Sequence, residues 1–206
     1  MKILLVCGSQ RPGGGASLYL LKALRDRLGR EHETVVIHAL ESAGDGAAEM
    51  DLSAFDAVVA AFPLYVDSLP SAMVRLMRSA EAPRNAGTER PRVYAIVNCG
   101  FYEAVQNRVA LDMLWKWREK CGLKRGYGLA VGGGEMARAA PLGHGPSANL
   151  GKAIDRLASD IAQGGEGSDV YVEPNFPRFL YQMAAHMGWR KRARRNGLKR
   201  SDIERA

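Results

Sequence analysis

The chain alternates short, almost wholly apolar runs with longer stretches whose apolar positions recur every three or four residues. Ile3 to Cys7, Ala57 to Phe62, Arg92 to Val97 and Gly126 to Val131 are of the first kind. Runs of that length without polar alternation predict strands buried on both faces. Thr34 to His38 is rich in β-branched residues and predicts one more strand. Leu18, Leu21 and Leu24 predict a helix after the first strand. Further helices are expected around Ser71 to Ala80, in a long amphipathic stretch ending near Lys120, and from about Ala148 to Gln163. Ala39 to Ser53 reads as a polar, Gly-containing connection. Five strands alternating with helices predict a parallel sheet covered on both faces.

In open sheets of this kind, ligands gather outside the carboxyl ends of the strands, near the point where strand order reverses. The loops that begin at Gly8, Pro63, Asn98 and Gly132 are therefore the candidates. The first is the most informative. Gly8 to Gly15 joins a strand to a helix and brings Ser9, Arg11 and Ser17 with it. A helix N-terminus presents unpaired N–H groups and partial positive charge, and glycines let an anion approach closely. No Lys-Ser or Lys-Thr follows the glycines, so this is not the triphosphate loop. The dinucleotide fingerprint is a poor fit too, because the second strand runs into His-Ala-Leu-Glu rather than closing on a ribose-binding acid. A loop that wraps one terminal phosphate remains, as a mononucleotide such as FMN requires. Pro63-Leu64-Tyr65 and Asn98-Cys99-Gly100-Phe101-Tyr102 would offer backbone groups and aromatic edges to the two sides of a flat ring.

With those residues in view, GSQRPGGGAS resembles the phosphate loop of the NAD(P)H-dependent FMN reductases, and FPLYVDSLPSAM resembles that family's second flavin loop. The resemblance extends from Met1 to about Gln163. It implies a flavodoxin-like three-layer α/β sandwich with a five-stranded parallel sheet of order 2-1-3-4-5 over residues 1–165; the tail from Tyr171 on lies outside the common family core, and the chain's own pattern predicts a basic amphipathic helical extension over residues 166–206. It further implies that Ser9, Arg11 and Ser17, with the backbone of Gly13, Gly14, Gly15 and Ala16, hold the FMN phosphate. Pro63, Leu64, Tyr65 and Val66 would flank the isoalloxazine, with Asn98, Gly100, Phe101 and Tyr102 opposite. The implied activity carries electrons from NADPH or NADH through bound FMN to a flavin, quinone, azo or nitro acceptor, in a homodimer or homotetramer. The redox chemistry would be the cofactor's, so no catalytic side chain and no metal is assigned. The chain departs from the pattern at Gly15-Ala16, where many relatives carry Asn-Thr or Asn-Ser and thus one more side-chain donor. Two other classes stay open: a flavodoxin-type electron carrier, and a flavin-free binding module acting through the tail. Carriers of that type are usually acidic, which this chain is not.

Bulk properties narrow the setting. With 206 residues, the chain is long enough for one well-packed domain, and its 47% hydrophobic content is ordinary for a globular protein. No apolar run approaches the roughly 20 residues a membrane span needs. The opening apolar run is too short for a signal peptide and is interrupted by Gly8 to Gly15. Cys7, Cys99 and Cys121 lack metal-ligand spacing and cannot all pair, which points to a reducing cytoplasm. Cys7 reads as core, and Cys99 as a small buried residue at a strand end rather than a redox thiol. Glu135 and His144, in the Gly-rich fourth loop, read as solvated loop positions in preference to substrate contacts. Trp115 and Trp117 are two apart and cannot share one helix face, so one is expected to turn toward a dimer partner. There is no nucleophile-elbow spacing to favour a hydrolase.

The net charge of +7 is a property of the tail. From Gly188 to Ala206, Arg190, Lys191, Arg192, Arg194, Arg195, Lys199, Arg200 and Arg205 stand against Asp202 and Glu204, which is +6 and leaves the body at +1. Before that run, Phe176, Phe179, Leu180, Met183, Ala184 and Met187 follow helical spacing after Pro174 and Pro177, and Trp189 joins the two segments. Such a helix suits packing on a neighbouring subunit, peripheral contact with an anionic membrane, or attraction of an acidic redox partner or the phosphates of NADPH. Nucleic acid is the weakest of the candidate partners.

Overall fold

The computed structural model describes residues 1–11, 13, 15–42, 50–81, 90–138, 140–198 and 202. The apolar runs form β1 (Lys2–Cys7), β3 (Ala57–Pro63), β4 (Arg92–Asn98) and β5 (Lys124–Val131), joined by β2 (Glu33–His38) and a short β6 (Val170–Val172). All pair in parallel, in the order β2-β1-β3-β4-β5-β6. The helices are α1 (Gly15–Leu28), the single turn α2 (Ala39–Ser42), α3 (Ser71–Ser79), α4 (Arg108–Lys120), α5 (Ala148–Ala162) and α6 (Arg178–Arg195).

The strand periodicity of two divides the core. Ile3, Leu5 and Cys7 of β1, with Ala57, Val59 and Ala61 of β3, pack under α1 and α5. Leu4 and Val6, with Val58, Ala60 and Phe62, pack on the opposite face under α3 and α4. Both faces of the central strands are therefore sealed, which is why they carry no polar alternation. The architecture is a flavodoxin-like three-layer sandwich.

The sheet differs from the sequence expectation in having a sixth strand, β6, inside the segment assigned to the extension. Three residues are too few to show a period, and the strand is held by a side chain outside it. The Asp169 carboxylate accepts from the Gly128 N–H (2.8 Å) and the Trp115 indole N–H (2.9 Å). Arg125 reaches the same carboxylate at 3.4 Å and lies 4.4 Å from the Trp115 ring centroid. Trp117 donates its indole N–H to the Met77 carbonyl, 2.9 Å away at the end of α3. Both tryptophans are thus buried within the chain, and neither turns toward a partner. Their N–H groups have found acceptors on opposite sides of α4. The Gly- and Ser-containing stretch 164–168 is mostly exposed but tied down at two points, with the Tyr94 hydroxyl donating to the Gly165 carbonyl (2.6 Å) and Arg92 paired with Glu166 (3.1 Å). The long helix expected to end near Lys120 begins as a 3-10 turn, Ala104–Asn107, anchored by the buried Asn107 amide on the Ala104 and Val131 carbonyls.

The chain divides into two compact units, Met1–Pro174 and Asn175–Ala206. The first takes in β6. The second contains α6, introduced by Pro177, with no buried residue along its length. No helix among the described residues is long and apolar enough to cross a membrane.

Candidate functional site

Strand order reverses between β1 and β3, and a cleft of about 110 Å³ lies outside their carboxyl ends. Gly8 closes β1. Its N–H donates to the Ala61 carbonyl (2.7 Å), and a Cβ there would lie 2.4 Å from Met73 Cγ and 2.7 Å from Phe62 Cβ. Only glycine lets the loop leave the sheet this close to α3. Gly13 and Gly15 then adopt φ of +73° and +56°, conformations that side chains resist, and turn the chain into α1. Ser9 Oγ accepts from the Arg11 N–H at 3.3 Å, and Gln10 donates to Ser71 Oγ at 2.9 Å, which ties the loop to α3.

Ser17 sits in the first turn of α1 and is 1% exposed. Its Oγ accepts from the Asn98 side-chain amide at 2.9 Å, and that amide also donates to the Phe62 carbonyl at 3.1 Å. With its acceptor role used, the Ser17 O–H is left to donate to another group. Asn98, expected opposite the Pro63–Val66 loop, lines the cleft and also anchors the first loop from the end of β4, with its side chain buried.

The second loop continues the ladder, with the Leu64 N–H on the Asn98 carbonyl (2.8 Å). Tyr65 and Ser68 exchange backbone hydrogen bonds of 3.1 and 3.0 Å across a tight turn. Its central residues Val66 and Asp67 have φ of +49° and +55°, the type I′ signature. A β-branched residue there is strained, and Val66 is 98% exposed, so it stands clear of the cleft wall. The Leu64 and Tyr65 N–H groups are both engaged within the protein, so this loop offers shape rather than these donors to a ligand.

The third and fourth loops interlock through glycines. A Cβ on Gly132 would meet the Tyr102 carbonyl oxygen at 2.0 Å. The Gly133 and Gly134 N–H groups donate to the Phe101 and Cys99 carbonyls at 2.6 and 2.7 Å. This packing delivers Glu135 to the cleft, where its Oε1 lies 2.6 Å from Arg11 Nη1. Glu135 is exposed, as expected of a solvated loop, and it also lines the cleft; its contact with Arg11 raises the Arg11 pKa. His144 is exposed. Cys99 lines the cleft but its thiol is turned inward, accepting from Asn107 at 3.5 Å, and burial pushes its pKa up.

Of the residues singled out by sequence, Ser9, Arg11, Gly15, Ala16, Ser17, Pro63, Leu64, Tyr65, Asn98 and Gly100 line this one cleft. Gly13 lies in the preceding turn, and Gly14 lies outside the described residues. Phe101 is 55% exposed, and the Tyr102 hydroxyl donates to the Pro174 carbonyl at 3.4 Å. Glu135 was named from sequence only as a loop residue able to touch substrate, without its partner Arg11. Its place depends on glycine packing between two loops far apart in sequence.

No protein-family model and no curated protein matches this sequence. Solved structures do match it in shape. An NADH:FMN oxidoreductase in its apo form superposes over 81% of this chain and 90% of its own, with a TM-score of 0.61 at 12% identity. Oxidised flavodoxin 1 from Bacillus cereus matches over 79% and 98%, with a TM-score of 0.59 at 14% identity. An FMN-dependent NADH-azoreductase from Bacillus anthracis, in complex with FMN, matches over 78% and 99%, with a TM-score of 0.53 at 14% identity. At such identities the likeness is one of architecture: the chain has the flavodoxin-like fold.

Proposed function

We propose that this chain is an FMN-dependent oxidoreductase that takes electrons from NADH or NADPH and passes them to a small acceptor such as a second flavin, a quinone, or an azo or nitro compound. The observation that carries the reading is the anion cradle at the switch point. There the N-terminus of α1, the Ser17 hydroxyl fixed by Asn98, and Arg11 converge on one cleft. The donor set fits a phosphomonoester: neutral hydroxyls, a helix N-terminus and one guanidinium, with no lysine of a triphosphate loop. Two of the solved structures that share the fold are described as NADH-dependent and act with FMN, which supports the same reading.

FMN held in this cleft would supply the redox chemistry, hydride uptake from a nicotinamide and delivery of two electrons to the acceptor. The protein's part is positioning. Ser17 and Arg11 donate to the phosphate and set the depth of the cofactor. Pro63 to Tyr65 on one side and Gly100 on the other wall the slot in which a planar ring lies. Glu135 shares Arg11 with the phosphate, and its negative charge sets how strongly the cradle draws an anion. Each charge-assisted hydrogen bond to the phosphate is worth about 1.5–3 kcal/mol. Assembly as a homodimer or homotetramer is part of the proposal. Val105, Val109 and Met113, four residues apart and each at least 40% exposed, form an apolar stripe suited to it. Three cysteines that form no disulfide agree with a cytoplasmic setting.

The test is the visible spectrum of the purified protein before and after addition of FMN and desalting. Flavin bands that survive desalting are expected, followed by steady-state oxidation of NADH or NADPH with a quinone or azo dye. Retained flavin without nicotinamide turnover would leave an electron carrier. A colourless protein that cannot be reconstituted would sink the flavoprotein reading.

A further inference from the structure

The 18 residues of α6 include Arg178, Arg190, Lys191, Arg192, Arg194 and Arg195, and no acidic residue. Phe179, Met183, Met187 and Trp189 are each more than half exposed. Steps of four place Phe179, Met183 and Met187 on one stripe, and steps of three and four carry that stripe onward into Arg190 and Arg194. Trp189 stands at the junction, with the Arg192 guanidinium 5.8 Å from its ring centroid. Among the described residues, no ion pair involves Arg190, Lys191, Arg194 or Arg195.

We propose that α6 docks on an anionic lipid surface, with the Phe179–Met183–Met187 stripe entering the boundary between headgroups and acyl chains and the basic turns lying on the lipid phosphates and carboxylates. Charge selects this occupant. A helix with six cations and no anion repels a second copy of itself and gains no electrostatic attraction from a neutral bilayer. The apolar stripe selects lipid over nucleic acid. A phosphate backbone is met by cations alone, whereas interfacial binding grows with buried apolar area added to the electrostatic attraction. The proposal is independent of the flavin reading.

Trp115 and Trp117 are buried, so Trp189 is the exposed fluorophore. The experiment titrates the full chain with vesicles of phosphatidylcholine containing phosphatidylserine, and with phosphatidylcholine alone, at low and high salt. Co-sedimentation and a blue shift of tryptophan emission are expected with the anionic vesicles only, weakening on the order of tenfold or more at high salt. Arg190→Gln/Lys191→Gln/Arg194→Gln and Phe179→Ser/Met183→Ser/Met187→Ser are each expected to lose the binding, while Trp189→Phe keeps co-sedimentation and loses the shift. Failure to bind anionic vesicles, equal binding to neutral ones, or undiminished binding by the triple-serine variant overturns the proposal. Binding to a DNA duplex in place of vesicles also overturns it and assigns the helix to nucleic acid.

Discussion

At the scale of single residues, the cleft is governed by a few polar contacts whose partners come from different loops. Arg11 is held by Glu135 at 2.6 Å, and both side chains are more than half exposed, so the pair itself adds little to stability. Its consequence is for anion binding. Arg11→Met is expected to weaken FMN binding roughly 10–100-fold, the loss of one charge-assisted hydrogen bond. Glu135→Gln is expected to tighten it, because the guanidinium loses its competitor. Titration by quenching of flavin fluorescence checks both, and a loss of affinity in Glu135→Gln would show that the carboxylate holds Arg11 in place rather than competing for it. The turn at Val66 and Asp67 is a second local device. Replacing them with Asn and Gly, the residues a type I′ turn prefers, is expected to raise stability by about 1 kcal/mol in thermal or urea unfolding.

At the scale of elements, the unusual joint is the one that brings β6 into the sheet. Asp169 binds the backbone of β5, the indole of α4 and Arg125 together, and its side chain is only 14% exposed. Asp169→Ala is expected to cost about 2–3 kcal/mol, since it removes an ionised acceptor and strands two donors. Amide hydrogen exchange should then accelerate in β6 and the end of β5 before it does in β1 or β3. Uniform acceleration across the sheet would mean that β6 is not separately tethered. None of these contacts could be inferred from periodicity. A strand of three residues has no pattern, and two tryptophans two positions apart look as though one must be unpaired until the acceptors at Met77 and Asp169 are seen.

At the scale of the molecule, two buried tyrosines link stability to pH. The Tyr94 phenol is enclosed and its pKa is pushed up to about 12 by burial. The folded state therefore holds that proton more tightly than the unfolded chain, whose tyrosines titrate near 10. The resulting stabilisation is fully present below about pH 10 and is lost as pH rises through about 12. Tyr127, buried beside it and donating to Asp160 at 2.8 Å, acts in the same direction. Urea unfolding followed from neutral to strongly alkaline pH should show the decline, and Tyr94→Phe should flatten it. A Tyr94→Phe protein with an unchanged alkaline profile would place the dependence on Tyr127 and other groups.

What was legible in the sequence alone were the features set by local chemistry. The all-apolar runs announced strands with two buried faces, because only a sheet covered on both sides removes the need for polar alternation. The glycines and hydroxyls between the first strand and helix marked the loop that lines the cleft, because glycines permit the tight turn into the helix N-terminus. The basic tail was visible as composition. Decisions that needed the tertiary structure all involve groups distant in the chain. Asn98 became the anchor of Ser17, Glu135 came to Arg11 across more than a hundred residues, and Asp169 recruited a sixth strand. A side chain's hydrogen-bonding capacity is written in the sequence. Which partner satisfies it is settled only when the fold places the two within 3 Å and excludes the water that would otherwise serve.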